Sequence, residues 1–553
     1  MNRRRIGLLA GALVVVIVGV SLGVVVALRG GATTPATALG PPHFVDVTAA
    51  SGIDESYDGS STYATGGGVA VFDCDGDGKP DLYVAGGANP AALYRNVSSV
   101  GGDIRFTRVR DAATDLTNVL GAYPIDIDGD GHVDLVVLRA GQSEILRGLG
   151  GCRFENANER FGFPAENADT VGFSATWEGS SSLPTLALGR YLTLDASGEH
   201  TLDCDTSELV RPDATGRRYA SPISLAPGYC ALSVLFSDWD GSGRRDLRIT
   251  NDRNYYVDGS DQLWRVAPGE SPRLYTAADG WRSLQVSGMG LASYDLGATG
   301  YPDVFITSQA DNKLQTLVAG PSQPSYRDIA GKRGVTSARP ASGGDVHPST
   351  AWHPEFQDVN NDGFMDLLIT KGNVEAQPDY AAKDPSDLFL GQPDGTFVQG
   401  AEAAGIVEFD RGRGAALADF NMDGLLDLVE VHYGAPVRIW RNAGSGTARS
   451  PAAMGHWLGV RLSQSGPDRD AIGSWLEVKV GDTTMRRELT IGGGHASGQL
   501  GWVHWGLGPS ASAQVRVIWP DGVTSPWMQV QADAFYTLTR GVDVPAAWAQ
   551  PRD

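Results

Sequence analysis

The sequence predicts an all-β chain: a seven-bladed β-propeller followed by a small β-sandwich, with one N-terminal transmembrane helix. Three observations carry that reading. An acidic motif returns along the chain with a period of about 58 residues. Short apolar strands flank each copy, and an unbroken apolar run follows an arginine cluster at the N-terminus.

Composition fits this class. The 553 residues are 42% hydrophobic and include 72 glycines, which suits a large core built from strands and tight turns. Lys+Arg total 44 against 65 Asp+Glu, a formal charge of −21. A surface that negative repels phosphate backbones, so the chain is read as having no nucleic-acid partner, and cations are the natural counterpart.

Arg3, Arg4 and Arg5 precede the run Ile6 to Leu28, which Arg29 ends. At about 1.5 Å per helical residue that run crosses a hydrocarbon core of about 30 Å. The basic residues hold the N-terminus in the cytoplasm, so residues 1–29 are read as a cytoplasmic tip and transmembrane signal anchor. Everything from Gly30 onward then lies outside a plasma membrane that the chain crosses once. Ala36-Thr37-Ala38 offers a cleavage site, and the protein is secreted if it is used. Residues 30–42 are a linker. Four cysteines in an exported chain permit disulfides in three full pairings, and Cys204 with Cys230, bracketing one irregular stretch, is the preferred pair. Asn96-Val97-Ser98 is a glycosylation sequon.

The repeat begins at Asp73-Cys-Asp-Gly-Asp-Gly-Lys-Pro-Asp81 and Asp126-Ile-Asp-Gly-Asp-Gly-His-Val-Asp134. It continues at Asp238-Trp-Asp-Gly-Ser-Gly-Arg-Arg-Asp246, Asp358-Val-Asn-Asn-Asp-Gly-Phe-Met-Asp366 and Asp419-Phe-Asn-Met-Asp-Gly-Leu-Leu-Asp427. A decayed copy starts at Asp295, and a further remnant spans Trp177–Leu186, which brings the count to seven units. In each unit one apolar strand enters the acidic loop, another leaves it, and two more follow, the pattern of a propeller blade. The seventh unit lacks a fourth strand after Asn442. Phe44-Val-Asp-Val-Thr48 matches the fourth strand of the preceding unit at Phe397, so it is expected to cross the ring and complete the last blade. The propeller therefore spans residues 43–442.

Oxygen ligands at alternate positions of a glycine-bent loop converge on one ion. Carboxylates without nitrogen or sulfur donors select a hard cation, and a flexible oxygen-rich loop suits Ca²⁺. The expected ligands of the first loop are Asp73, Asp75, Asp77, the carbonyl of Lys79, and Asp81. Those of the second are Asp126, Asp128, Asp130, His132 (carbonyl) and Asp134. The later loops would use Asp238, Asp240, Ser242, Arg244 (carbonyl) and Asp246; Asp358, Asn360, Asp362, Phe364 (carbonyl) and Asp366; and Asp419, Asn421, Asp423, Leu425 (carbonyl) and Asp427. About five calcium ions follow. The Asp295 loop, with Gly297 and Thr299 at ligand positions, is expected to hold none. An EF-hand is rejected, because it requires a bidentate Glu at position 12 and only the last loop has one, Glu430.

These Asp-x-Asp-x-Asp-Gly-x-x-Asp-Leu units resemble the FG-GAP or VCBS repeats of integrin α-subunit propellers. The resemblance implies structural calcium on loops of one face and ligands bound elsewhere on the ring. After a linker at residues 443–454, residues 455–541 read as short strands of a small β domain, and residues 542–553 form a tail. Asp468-Arg-Asp-Ala-Ile-Gly473, Gly492-Gly-Gly-His-Ala-Ser497, His504-Trp-Gly-Leu-Gly508 and Val517-Ile-Trp-Pro-Asp-Gly522 resemble the ASPIC/UnbV domain, which accompanies FG-GAP repeats in cartilage acidic protein-like families.

No nucleophile elbow, zinc-protease helix or phosphate loop is present, and no residue is assigned a catalytic role. His347 and His353 with Glu355 form the one histidine cluster worth weighing, and Gly372–Tyr380 with Asp384 is a polar insertion of the kind that builds binding surfaces. Trp239, Trp264, Trp281 and Trp352 are read as blade packing rather than stacking platforms. The favoured reading is a membrane-anchored calcium-binding module for an extracellular protein or glycan. The alternative is an extracytoplasmic enzyme acting on carbohydrate or phosphate esters through the central funnel.

Overall fold

A computed structural model describes residues 37–164, 166–252, 259–337, 347–374, 380–381 and 384–550. The expected transmembrane segment lies outside the described residues, as do residues 375–379 of the polar insertion. Among the described residues no helix is long and apolar enough to cross a membrane.

The chain from Ala38 onward is one compact unit. Its strands fall into units in which each acidic loop joins an inner strand to a second strand running antiparallel to it. The inner strands are Val69–Phe72, Val119–Ile125, Ala168–Thr176, Ala231–Ser237, Gly288–Tyr294, Ala351–Gln357 and Arg411–Ala418. Nearly every residue in them is buried on both faces, so Val69–Phe72 and Ala415–Ala418 read as continuous apolar runs rather than alternating ones. Each inner strand packs against the next, and the seventh returns to the first. The arrangement is propeller-like. In the third unit the inner strand ends at Thr176, and the next strand, Thr185–Arg190, runs antiparallel to it and takes in the last two residues of the remnant Trp177–Leu186.

The expected closure is present. Phe44–Asp46 pairs antiparallel with Arg438–Asn442, Phe44 opposite Asn442 and Asp46 opposite Trp440. The chain start thus supplies the last unit's outer strand and covers an edge that would otherwise be open. At Thr48 the chain turns helical, and Ser56–Tyr57 then pairs again with the last unit at Tyr433 and at Ala435–Pro436.

The C-terminal part forms two four-stranded sheets. One is ordered Val503–Gly508, His456–Ser463, Ala534–Thr539 and Ala546–Ala547; the other is Thr483–Glu488, Trp475–Val480, Ser512–Ile518 and Met528–Gln531. Leu458, Val460 and Trp505 of the first meet Leu476, Val515 and Val517 of the second in a shared core. Met528–Gln531, a strand of alternating exposure, was not legible as one.

This sandwich is not a separate appendage beyond a linker. It sits on the acidic-loop side of the ring: Trp502 Nε1 donates to Gly78 O at 2.7 Å, the amide of Asp238 donates to Glu488 Oε1 at 2.9 Å, and the amide of Gly508 donates to Asn361 O at 2.9 Å. Its segment Ile491–Gln499 then enters the ring and bonds to inner strands around it. Gly492 pairs with Ser174 and with Leu235, Gly494 exchanges backbone bonds with Leu291, the amide of Ala122 donates to Ala496 O, and Gly498 pairs with Ala70. Two glycines, Gly68 just before the first inner strand and Gly121 within the second, make room for it. A Cβ on Gly68 would lie 1.7 Å from Ala496 O, and one on Gly121 would lie 2.1 Å from the same atom. The motif Gly492–Ser497 is therefore a plug for the channel.

Candidate metal centres

The acidic loops share one wiring. The first aspartate accepts from the amide of the sixth residue: Asp73 from Gly78 (2.8 Å), Asp126 from Gly131 (2.9 Å), Asp358 from Gly363 (2.7 Å) and Asp419 from Gly424 (2.6 Å). The ninth accepts from the amide of the second residue and from the third strand of its unit. Asp81 takes Cys74 and Asn96 at 2.7 Å each, Asp134 takes Ile127 and Gly148, Asp366 takes Val359 and Gly391, and Asp427 takes Phe420 and Asn442. Positions 1 and 9 are thus turn staples before they are ligands, each with an oxygen aligned by backbone donors. The sequence marks these positions by their invariance among the copies, yet gives no sign of the staple.

In two loops the carboxylates also converge. Asp73, Asp75 and Asp81 offer oxygens that all lie within 4.8 Å of one another, and so do Asp126, Asp128 and Asp134. Burial raises Asp81 well above the ordinary carboxylate range and raises Asp73, with neighbouring aspartates adding to both. Burial likewise pushes Asp126 up to about 6 and Asp134 to about 8. Oδ1 of Asp128 is buried without a hydrogen-bond partner. Crowded, desolvated carboxylates of this kind resist carrying their charge alone, and an oxygen-seeking divalent cation relieves them. The donor set fits calcium.

Asp77 and Asp130 stand apart from these trios. Asp77 Oδ2 meets Lys79 Nζ at 2.9 Å, and Asp130 pairs with Arg147, which also reaches Asp128 Oδ2 at 2.8 Å. The first loop is braced from the other side by a disulfide. Cys74 bonds to Cys152 on the outer turn of the next unit, and Cys152 Sγ lies 4.0 Å from Asp81 Oδ2, so the bridge packs against position 9. The preferred pair Cys204–Cys230 is also joined, so both bridges are made.

The remaining loops do not gather three carboxylates in this way, and the count of about five ions is not supported. In the Asp238 loop Arg244, expected to offer its carbonyl, instead bonds Asp240 and Asp246 through its side chain. In the Asp358 loop, Asp362 Oδ2 accepts from the Leu39 amide at 2.7 Å while Asn360 Nδ2 donates to Gly40 O at 3.2 Å. In the Asp419 loop, Asn421 Nδ2 donates to Asp423 Oδ2 at 2.9 Å and to Gly102 O at 2.8 Å, and Arg441 pairs with Asp423. An amide in place of a carboxylate brings a donor, and these donors find carbonyls of the chain. The Asp295 carboxylate is taken by the Thr299 and Gly300 amides.

Other candidate residues are absorbed by packing. Trp239, Trp264, Trp281 and Trp352 are all buried. Asn96 of the sequon is buried, its amide donating to Pro80 O and Phe420 O, so the folded chain does not present it for glycosylation. His353 is buried against the plug, where its Nδ1 accepts from the His495 amide at 3.0 Å, whereas His347 stacks on Tyr380. His495, fully buried beside Trp352, is pushed down to about 3 by desolvation and stays neutral. The funnel that the enzyme reading needs is occupied by the chain itself.

Residues 73–137 match the family model of the FG-GAP-like repeat, and residues 464–544 match that of ASPIC and UnbV. Both parts are thereby recognised in the order the sequence suggests. The chain is similar to cartilage acidic protein 1. It is 27% identical to the Homo sapiens protein over 228 residues, which cover 38% of this chain and 31% of that one. Against the Mus musculus protein the identity is 28% over 228 residues, 38% of this chain and 32% of the relative. The chain thus spans about a third of the length of these curated relatives. Among solved structures, BBS1N in complex with ARL6DN aligns over 73% of this chain and 98% of that one, at 11% identity and a TM-score of 0.42. A calcium structure of a Trichoderma reesei carbohydrate-active enzyme of family AA12 aligns over 74% of this chain and 99% of that one, at 11% identity and a TM-score of 0.32.

Proposed function

We propose that the chain is an extracellular interaction module: a seven-bladed propeller stabilised by calcium, locked by its C-terminal domain, and tethered to the plasma membrane by residues 1–29. The observation that carries the metal reading is the convergence of the same three positions in two loops, Asp73, Asp75, Asp81 and Asp126, Asp128, Asp134. The closed cycle of inner strands supports seven blades. Two disulfides favour an oxidising compartment, in keeping with a chain that leaves the cytoplasm. The partner is an extracellular protein or glycan held on the rim or a face of the ring, since the plug takes the channel.

The test uses the full chain in detergent. Calcium titrated calorimetrically should bind with two equivalents, and Asp75→Ala and Asp128→Ala should each remove one; no binding at all ends the metal reading. The immobilised chain, probed with a glycan array and with purified cell-surface proteins, should retain a partner in calcium and release it in chelator. No retention in either condition ends the module reading.

A further inference from the structure

We propose that in the Asp238 loop the guanidinium of Arg244 occupies the place of the metal, so that this loop is neutralised from within and takes no calcium while that side chain is there. The inference rests on the reading that the first two loops take calcium, and extends it to what decides whether a loop can.

Position for position, Asp238, Asp240 and Asp246 correspond to the converging trio Asp73, Asp75 and Asp81. Arg244 lies across the third and ninth positions of this set. Its Nε donates to Asp246 Oδ1 at 2.9 Å, and its Nη2 reaches Asp246 Oδ2 at 3.2 Å and Asp240 Oδ2 at 3.3 Å. A guanidinium holding one carboxylate at both oxygens is a geometry that a lysine ammonium does not offer. Asp246 is then fully engaged, since Trp239 Nε1 and Tyr275 Oη each donate to Oδ2 at 2.8 Å and the Val266 amide donates to Oδ1. Asp238 keeps the cage's free oxygen: the residue is buried, and its Oδ1 has no hydrogen-bond partner. One ligand position is therefore open, while the two opposite are bridged by an internal cation.

Position 5 explains why the side chain turns inward. The first loop also carries a cation at position 7, Lys79, but Asp77 at position 5 holds its Nζ at 2.9 Å, away from the converging trio. In the second loop Asp130 at position 5 pairs with Arg147, whose Nε also reaches Asp128 Oδ2 at position 3, but Asp134 at position 9 is held by the Ile127 and Gly148 amides and not bridged to Asp128 by that guanidinium. The Asp238 loop has Ser242 there, which has no charge to hold a cation outside, so Arg244 goes to Asp240 and Asp246 instead.

Two variants test this in the full chain. Arg244→Ser removes the internal cation, and Ser242→Asp offers it an outer partner while leaving it in place. Trp239 stands at position 2 of this loop, and Trp502 bonds Gly78 of the first, so tryptophan-sensitised terbium emission reports on the Asp238 loop once the first two loops are disabled and is read as the change that each added substitution brings. In an Asp75→Ala, Asp128→Ala background, the unaltered Asp238 loop should give little sensitised emission. Either added substitution should raise it severalfold, and in the otherwise unaltered chain calcium stoichiometry should rise by one equivalent. If Arg244→Ser folds only in calcium, that also supports the proposal; if it folds in neither condition, Ser242→Asp alone decides. Strong terbium emission before either substitution, or no gain with a folded Ser242→Asp chain, overturns it. Failure of the two-site reading would show separately, as no calcium bound by the unaltered chain.

Discussion

The acidic loops of the first two units and those of the last two share a nine-position motif and a common backbone wiring, yet they end in different environments. In the Asp73 and Asp126 loops three carboxylates converge beneath partly open surface. In the Asp358 and Asp419 loops the same positions lie under the sandwich. His504 Nε2 and Asn361 Oδ1 are 2.6 Å apart, and Met422 packs with Trp457 and Phe535. The divergence starts at position 4. The first two loops have glycine there, Gly76 and Gly129, with φ of 81° and 69°; the last two hold Asn361 and Met422 at φ of 61° and 57°. A non-glycine residue in that region carries strain of about 1 kcal/mol or more. Here the strained position aims a side chain at the domain above. The motif is first a stapled turn, and its spare positions make it either a cage or a shelf.

The largest effect should come from separating the shelf from what rests on it. Gly68→Val places atoms where the Ala496 carbonyl sits and should unseat the plug, a loss of about 3 kcal/mol or more. Thermal melting should drop sharply, and hydrogen exchange at residues 491–499 should rise. An unchanged melting temperature would mean that the plug does not hold the domains together. On the cage side, replacing both Cys74 and Cys152 with Ser removes the brace of the first loop and should lower stability by about 2–4 kcal/mol. A chain of normal stability without the bridge would show the loop to be held by its staples alone.

Asp75→Ala and Asn360→Ala, both at position 3, divide cage from shelf directly. The first should lower the melting temperature in calcium and change it little in chelator, because Asp75 contributes chiefly through the ion. The second removes a donor to Gly40 O and should give the same small loss in both conditions, about 1 kcal/mol. Equal behaviour of the two variants would erase the distinction.

Titration offers a gentler probe. With calcium chelated, Asp126 at about 6 and Asp134 at about 8 sit above an unfolded value of about 3.9. The folded chain then binds more protons than the unfolded one. Stability is therefore greatest below about pH 4 as far as these groups go, and is lost as pH rises toward 8. Saturating calcium holds both groups ionised and should abolish that decline, so the stabilisation by calcium should grow with pH across the same window. A calcium effect independent of pH would place the ion elsewhere.

Much of this was legible in the sequence, and what was not follows a pattern. The repeat and the strand-completing Phe44 segment could be read because spacing along the chain dictates them. The remnant unit at Trp177 was found by period alone. What escaped depends on atoms brought from elsewhere: Leu39 over Asp362, Cys152 under Cys74, and the sandwich segment inside the ring. The glycines at 68 and 121 look like ordinary strand glycines until the Ala496 carbonyl is seen beside them. Arg244 was read as a carbonyl ligand because ligand spacing concerns the backbone and says nothing of where a long cationic side chain goes.

A last, modest effect bears most directly on position 4. Met422→Gly relieves the left-handed strain and restores the residue of the cage loops, but it also takes a buried side chain away from Trp457 and Phe535. Losing that burial costs about 2–3 kcal/mol, and relief of strain returns about 1. A net loss of about 1–2 kcal/mol in the melt should result, equal in calcium and chelator, since Asp419, Asp423 and Asp427 keep their backbone donors, the amides of Gly424, Leu425 and Asn442. Were the variant more stable than the original, position 4 would be a tolerated defect and not the contact that turns a loop into a shelf. Were its stability instead to become calcium-dependent, the roof over this loop, and not its amide side chain, would be what keeps the metal out.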